Sequence, residues 1–146
     1  MSVLPIVQWP DARLKAMCDP VGGEDMRALA ADMLETIYAA PGRGLAGPQV
    51  GVLRRIFVMD AGWKEGSPTP RICLDPVIQP LGEGVATLEE GCLSIPDRPV
   101  QVTRPARVRL TYRDLDGAAQ SVELEGSEAA IAQHEADHLD GKLIID

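Results

Sequence analysis

The two histidines of this chain, His134 and His138, lie four residues apart near its end. The surrounding stretch, residues 127–139, contains good helix formers, with Ser127 placed to cap its start and Gly141 just past its end. Residues at this spacing share one face of a helix, with Cβ atoms about 5 to 6 Å apart, so that two imidazoles can reach one metal ion. The position of this pair constrains the chain more than any other feature of its sequence.

Glu135 completes an HExxH motif, in which a glutamate directly follows the first histidine. A carboxylate at this place can act as general base toward a metal-bound water. The alternative is that the two histidines are ordinary core or surface residues that fell four apart by accident. The pair, the glutamate and the lack of any other histidine together favour a metal site.

A catalytic site of this type needs a third protein ligand and an open position for water. Only eight residues follow His138, so the third ligand is expected upstream. Cys92 is the best candidate because its thiol lies in a glycine-containing bend directly after a β-like run. Cys73, inside an apolar run, is expected to be a packed core thiol. Cys18, in a predicted polar turn, receives no role.

The length and composition indicate an ordinary globular protein. Its 146 residues are close to the size of one domain, so residues 1–146 are expected to form a single unit. The 14 basic and 22 acidic residues give a net charge of −8, which disfavours nucleic acid as a direct partner. The sequence shows neither a leader nor a membrane-spanning stretch, and its three cysteines are odd in number and widely spaced, so a reducing, cytoplasmic location is expected.

The rest of the sequence predicts one further helix and several short strands. Apolar residues recur with helical spacing over residues 24–40, with Glu24 and Asp25 in the first turn, and a loop over residues 42–51 follows. Asp116-Gly117 is a hairpin signal between two strands. The predicted strands are residues 55–59, 71–74, 85–88, 100–102, 108–112 and 121–124.

Three segments of the chain resemble, in order and spacing, the three motifs of the peptide deformylase family. They are residues 42–49 (GRGLAGPQ), 90–94 (EGCLS) and 133–141 (QHEADHLDG). The resemblance extends from Val7-Gln8-Trp9-Pro10 near the start to Lys142-Leu143 near the end, and so covers nearly the whole chain. It implies an α+β fold in which antiparallel sheets surround the HExxH helix.

The resemblance also implies roles for individual residues. Cys92, His134 and His138 would bind one divalent ion, which is ferrous iron in many members of the family and zinc or nickel in others. Glu135 would take a proton from a metal-bound water that attacks the formyl group of an N-formylmethionyl peptide or nascent chain, so that formate is released. The side chain of Gln49 and the backbone N–H of Leu93 would stabilise the oxyanion.

Substrate contacts are implied at a second set of residues, some of which depart from the family's usual motifs. Gly47 stands where a second alanine is common, which predicts a looser loop. Arg43 replaces a small aliphatic residue, and Ser127 and Ala130 are smaller or more polar than the usual Leu and Ile, which predicts a wider and wetter pocket. The implied substrate-binding residues are Arg43, Gly44, Leu45, Gly91, Ser127, Ala130 and Ile131.

Two alternatives to a formylmethionine deformylase remain open at this stage. One is a deformylase-like hydrolase with an altered preference for the acyl group or the first residue. The other is a metal-containing domain that binds peptides without catalysis, although Glu135 and Gln49 disfavour it because a structural site needs neither.

A further expectation concerns the ribosome. The sequence stops at Asp146 without the long basic helix of many bacterial members, so ribosome docking by that route is not expected.

Overall fold

The computed structural model describes residues 2–146 and combines two α-helices with seven strands in that range. None of the helices among these residues is both long and apolar enough to span a membrane. Short 3-10 helices lie at Ala12–Lys15, Gly47–Val50 and Trp63–Glu65. The regular elements, in chain order, are α1 (Arg27–Ala39), β1 (Gly44–Ala46), β2 (Ile56–Met59), β3 (Arg71–Pro80), β4 (Val85–Cys92), β5 (Ile95–Pro105), β6 (Arg107–Arg113), β7 (Ala119–Glu125) and α2 (Gly126–Leu139).

The strands form two antiparallel sheets. The larger has the order β1-β2-β3-β6-β7, and the smaller is the hairpin β4-β5. All four residues of β2 are buried. An antiparallel strand with one wet face alternates apolar and polar residues, so the continuous apolar run of β2 indicates that both of its faces are covered.

The two helices cover opposite faces of the larger sheet. Phe57 and Met59 of β2 pack in one cluster with three residues of α2, whereas Ile56 and Val58 pack in a second cluster with α1. Because successive residues of a strand point to opposite faces, this alternation places α2 on one side and α1 on the other. The residues of α2 in the first cluster are Ala129, Ala132 and Leu139.

The hairpin β4-β5 is held by a third, smaller cluster. Cys92 and Ile95, at the turn of the hairpin, pack against Leu14 and Leu143. The segments near both ends of the chain therefore position this turn. The backbone N–H of Trp9 adds a hydrogen bond of 2.9 Å to the carbonyl of Ser94 in the same turn.

The predicted α+β class and its antiparallel sheets are confirmed, but the first helix is shorter than predicted. It begins at Arg27 and not at residue 24. Glu24 accepts a hydrogen bond from the side chain of Arg54 instead, at 2.8 Å, and Asp25 accepts one from the backbone N–H of Arg27, at 3.1 Å. These two carboxylates thus lie before the helix.

The predicted capping of α2 by Ser127 is wrong. The helix follows β7 directly, and no side chain makes a hydrogen bond at its start. Gly126 makes the turn from strand to helix with a φ of +62°, in the left-handed region that glycine adopts without a steric cost. Ser127 therefore lies inside the first helical turn.

The predicted strands all overlap β2 to β7, and the turn at Asp116-Gly117 does connect β6 and β7. The segment 42–51, predicted to be a loop, contains two regular elements that were not predicted. It contains β1, which pairs with β2, and the 3-10 helix Gly47–Val50. A strand of three residues followed by a short 3-10 helix is too short to show a hydrophobic periodicity that sequence analysis can detect.

Phe57→Ala should lower the free energy of unfolding by about 3 to 5 kcal/mol, because the ring is fully buried between the sheet and α2. Urea denaturation followed by circular dichroism measures the loss. Val77→Ala, at an exposed position of β3, is the matched control and should change the stability by no more than about 0.5 kcal/mol. Equal losses in the two variants would contradict the two-sided burial of β2.

Candidate metal and catalytic site

Cys92, His134 and His138 converge in the interior of the molecule, as the sequence predicts. Their candidate ligand atoms all lie within 4.8 Å of one another, and all three residues are buried. The Sγ of Cys92 is 3.4 Å from Nε2 of His138. The two imidazole rings, one helical turn apart on α2, have centroids separated by 5.0 Å.

The other two cysteines lie apart from this group. Cys73 is fully buried in the core, as predicted, and Cys18 is also buried there and not in an exposed polar turn. Burial raises the pKa of both thiols, which keeps them protonated and poor as metal ligands.

A bulge in the hairpin delivers Cys92 to the site. The pairing of β4 with β5 shifts its register between Glu90 and Cys92, where Gly91 of β4 stands opposite residues 96–99 of β5. Extra residues of this kind bend a strand and re-aim the side chains beside them. Glu90 and Cys92, two positions apart on β4, face the same side of the hairpin, and both are buried.

Glu90 connects the hairpin to the first histidine. It accepts two hydrogen bonds from the guanidinium of Arg104, at 2.7 and 2.9 Å, and its Oε1 lies 3.0 Å from Nδ1 of His134. Arg104 also donates a hydrogen bond of 2.8 Å to Asp137 of α2. This arrangement leaves Nε2 of His134 as the ring nitrogen available to a ligand.

The electrostatics of Glu90 favour its charged form. Burial alone would raise the pKa of its carboxyl group, but the hydrogen bonds from Arg104 and His134 lower that pKa to about 2. Burial lowers the pKa of His138 to about 3, which makes its imidazole neutral, as a metal ligand must be.

Glu135 is buried directly against the backbone of β1. A Cβ on Gly44 would lie 2.6 Å from Oε2 of Glu135, so any larger residue at this position would displace the carboxylate. Among residues 2–146, no group makes a hydrogen bond to the other oxygen, Oε1. Burial raises the pKa of this carboxyl group to about 7, where it can both accept and release a proton near neutral pH.

Gln49 is buried beside the thiol of Cys92. Its Oε1 accepts a hydrogen bond of 2.9 Å from the backbone N–H of Ala46, which fixes the orientation of the amide. Its Nε2 then faces Cys92 Sγ at 3.6 Å and donates to Ser94 Oγ at 3.1 Å. Contacts at both ends of the amide therefore hold this glutamine inside the site.

A cleft of about 650 Å³ opens onto this group of residues. It contains most of the positions to which the sequence assigns catalysis or substrate contact. Those that line it are Arg43, Gly44, Gln49, Gly91, Cys92, Leu93, Ser127, Ala130, Ile131, His134 and Glu135.

The side chain of Leu45 does not line the cleft, because strand alternation turns it into the cluster around α1, where it is fully buried. A contact of Leu45 with substrate is therefore expected only through its backbone. The expectation for Gly47, in contrast, needs correction. The loop at Gly47 is not looser, because a Cβ there would lie 2.6 Å from the carbonyl oxygen of Val52. Because Gly47 has no Cβ, the backbone of Val52 can lie closer to the loop.

One wall of the cleft was missed by sequence reasoning. Lys64 and Glu65 line it, next to Trp63, whose Nε1 donates a hydrogen bond of 2.8 Å to the carbonyl of Gly42. The guanidinium of Arg43 binds Glu65 at 2.9 Å. This segment carries no motif, and only the presence of a tryptophan in a polar stretch could have drawn attention to it.

Comparisons with known proteins agree with this geometry. The family model described as polypeptide deformylase matches residues 3–146. A peptide deformylase of Afipia carboxidovorans is 46% identical over 148 aligned residues, which cover 100% of this chain and 86% of that protein. The chain belongs to the polypeptide deformylase family.

Solved structures extend the agreement to the fold of this deformylase. The crystal structure of peptide deformylase from Thermotoga maritima matches with a TM-score of 0.91 and 37% identity, over 99% of this chain and 96% of that one. The peptide deformylase of Synechococcus elongatus, solved in complex with actinonin, matches with a TM-score of 0.91 and 34% identity, over 97% and 78% of the two chains. The predicted fold and the predicted deformylase activity are thus confirmed, and the protein is an enzyme.

The family is metal-dependent, and the donor set of this deformylase fits a divalent ion. One thiol and two imidazoles, all buried and mutually within 4.8 Å, match the ligand types of transition-metal sites. The hydrogen bond between Glu90 and His134 adds the carboxylate-histidine support that such sites commonly show.

Gly44→Ala should reduce formate release from a formylmethionyl peptide by about a hundredfold, because the added methyl displaces the carboxylate of Glu135. Steady-state kinetics on metal-loaded protein measures the effect. Gly23→Ala is the matched control, since a Cβ there has no neighbour within 4 Å among the described residues. Full activity of the Gly44 variant would show that this contact does not position the carboxylate.

Arg104→Gln should weaken metal binding by about 10- to 100-fold, because it leaves Glu90 without the cation that orients it toward His134. Competition with a coloured chelator measures the affinity directly. Arg109→Gln, at an exposed position 4.0 Å from Glu123, controls for the loss of one positive charge. An unchanged affinity in the Arg104 variant would remove Glu90 from the support of the site.

Proposed function

We propose that this deformylase removes the formyl group from N-formylmethionyl peptides by adding water to the formyl carbonyl. One observation supports the proposal above all others. The buried carboxylate of Glu135, with one oxygen unpartnered among the described residues, lies against the backbone of Gly44, and Glu135 directly follows His134 in α2. A general base at this position can reach a peptide that pairs with β1.

Cys92, His134 and His138 are the proposed ligands of the divalent ion. A divalent ion supplies Lewis-acid chemistry, which polarises a carbonyl and lowers the pKa of a water molecule. We propose ferrous iron as the native ion, as the sequence resemblance implies, although a Cys/His/His set also accommodates zinc and nickel.

Glu135 moves the proton in the proposed reaction. Its carboxylate accepts a proton from the attacking water while the water oxygen bonds to the formyl carbon. When the bond between that carbon and the peptide nitrogen breaks, the same carboxyl group delivers the proton to the nitrogen. The products are formate and a free amino terminus. A pKa raised by burial suits both halves of this exchange.

Gln49 and Leu93 are the proposed donors to the oxyanion. The amide of Gln49 faces Cys92, and Leu93 follows Cys92 in the chain, so both donors stand on the thiol side of the site. Donors fixed in advance stabilise developing charge without reorganising during the reaction. The hydrogen bond from Ala46 holds the Gln49 amide in this orientation.

The edge strand β1 is the proposed guide for the substrate. Its only strand partner among residues 2–146 is β2, so its other side can pair with an extended peptide, except at the N–H of Ala46, which donates to Gln49. Gly44 at the start of β1 brings that peptide next to Glu135. Formylated nascent chains in the cytoplasm are the substrates that we propose.

Glu135→Gln should lower kcat by about 10² to 10⁴, because the amide has nearly the same shape as the carboxyl group but cannot accept the proton. Formate release from a formyl-Met tripeptide, by protein purified anaerobically and loaded with ferrous iron, measures the effect. Metal content is determined in parallel for both proteins. Undiminished turnover by the variant would refute Glu135 as the base.

Glu128→Gln provides the matched control for this experiment. Glu128 lies on the same helix but outside the cleft lining, so its conversion to glutamine should leave turnover unchanged. An absence of formate release from metal-loaded wild-type protein would refute the proposed reaction as a whole.

A further inference from the structure

The side chains that α2 contributes to the cleft differ in size and chemistry along the helix. His134 and Glu135 form its reactive end, whereas Ala130 and Ser127 form the end nearer the start of the helix. Ile131 is the one large apolar side chain that α2 adds to this part of the lining. The cleft is therefore left wide on the α2 side just beyond the reactive residues.

The spacing of these residues matches the reach of a first side chain. At a rise of about 1.5 Å per residue, Ala130 lies roughly 6 Å from His134 along the axis of α2, and Ser127 roughly 10 Å. Because α2 packs beside β1, a peptide that follows β1 has α2 as its neighbour. A side chain that leaves the first residue toward α2 passes Ala130 first and Ser127 next.

Behind Ala130 lies further unfilled space. A small cavity of about 10 Å³ separates this residue from the hairpin β4-β5. Leu88 and Val102 line it, and Leu88 also reaches the main cleft. This void is only about large enough for one water molecule, so the room for a first side chain beside Ala130 comes from the main cleft, which Ala130 also lines.

The cleft also contains a cation suited to an aromatic ring. Arg43 lines it and is held by Glu65 at 2.9 Å, with its side chain partly exposed. A guanidinium held in this way by an ion pair keeps its flat faces free to stack on a ring. Gly42 and Gly44 on either side of Arg43 add no side-chain bulk.

We propose that Ala130 and Ser127 make the first-residue pocket wide enough for an aromatic side chain, so that formyl-Phe peptides are hydrolysed about as well as formyl-Met peptides. This inference rests on the proposed function, because it concerns the substrate of the same site. Ala130 and Ser127 determine specificity by their small size, and Arg43 favours the ring over an aliphatic chain of equal volume.

The test compares kcat/KM for formyl-Met and formyl-Phe tripeptides that are otherwise identical, using iron-loaded protein. For the wild-type enzyme we expect the two values to agree within about threefold. Ala130→Ile should lower the ratio of Phe to Met by about tenfold or more, since filling a pocket by a few methylenes changes discrimination by about 10- to 200-fold. Ser127→Leu should lower the same ratio independently.

Glu128→Gln, outside the cleft lining, should leave the ratio unchanged, and equal metal content and circular dichroism spectra show that the variants are folded. A wild-type enzyme that hydrolyses formyl-Met peptides more than about tenfold faster than formyl-Phe peptides overturns the inference but not the proposed function. A ratio unmoved by both Ala130→Ile and Ser127→Leu also overturns it. Failure on both peptides refutes the proposed function itself.

Discussion

The pairing of the partly buried guanidinium of Arg104 with two carboxylates is the interaction on which the rest of the site depends. The guanidinium pairs with Glu90 on the neighbouring strand and with Asp137 on α2, so one cation ties the small sheet to the helix. Removal of one partner from a buried ion pair leaves an uncompensated charge, which is strongly destabilising. Without Arg104, the buried carboxylate of Glu90 would be such a charge. Through Glu90 the same network also sets the orientation of His134.

The chemistry of the site could be predicted from the sequence more fully than its shape. The spacing of His134 and His138 places both on one helical face whatever the surroundings, because it depends only on the period of the helix. Cys92 could be selected because the other thiols lay in apolar or isolated positions.

What could not be predicted was set by contacts distant in sequence. Gly47 appeared to loosen its loop, but its lack of a Cβ allows the carbonyl of Val52 to come closer. Leu45 belongs to a functional motif, yet it faces the core because β1 alternates like any other strand. The wall at Trp63 is held by a hydrogen bond to Gly42, a residue 21 positions away, and by the ion pair between Arg43 and Glu65. Contacts between residues distant in sequence leave no signal in the local periodicity of apolar residues.

The division of the candidate ligands between the hairpin β4-β5 and α2 has a consequence for local stability. β2 lies between both helices, so its amide hydrogens exchange with solvent only when the whole molecule unfolds. The hairpin β4-β5 is a separate sheet, held by the small cluster around Leu14 and Leu143 and by the Arg104 pairs. The amide hydrogens of the hairpin can exchange through local unfolding of the hairpin alone, which moves Cys92 away from the two histidines. A bound ion raises the free energy of that opening, so the metal stabilises the hairpin more than the core.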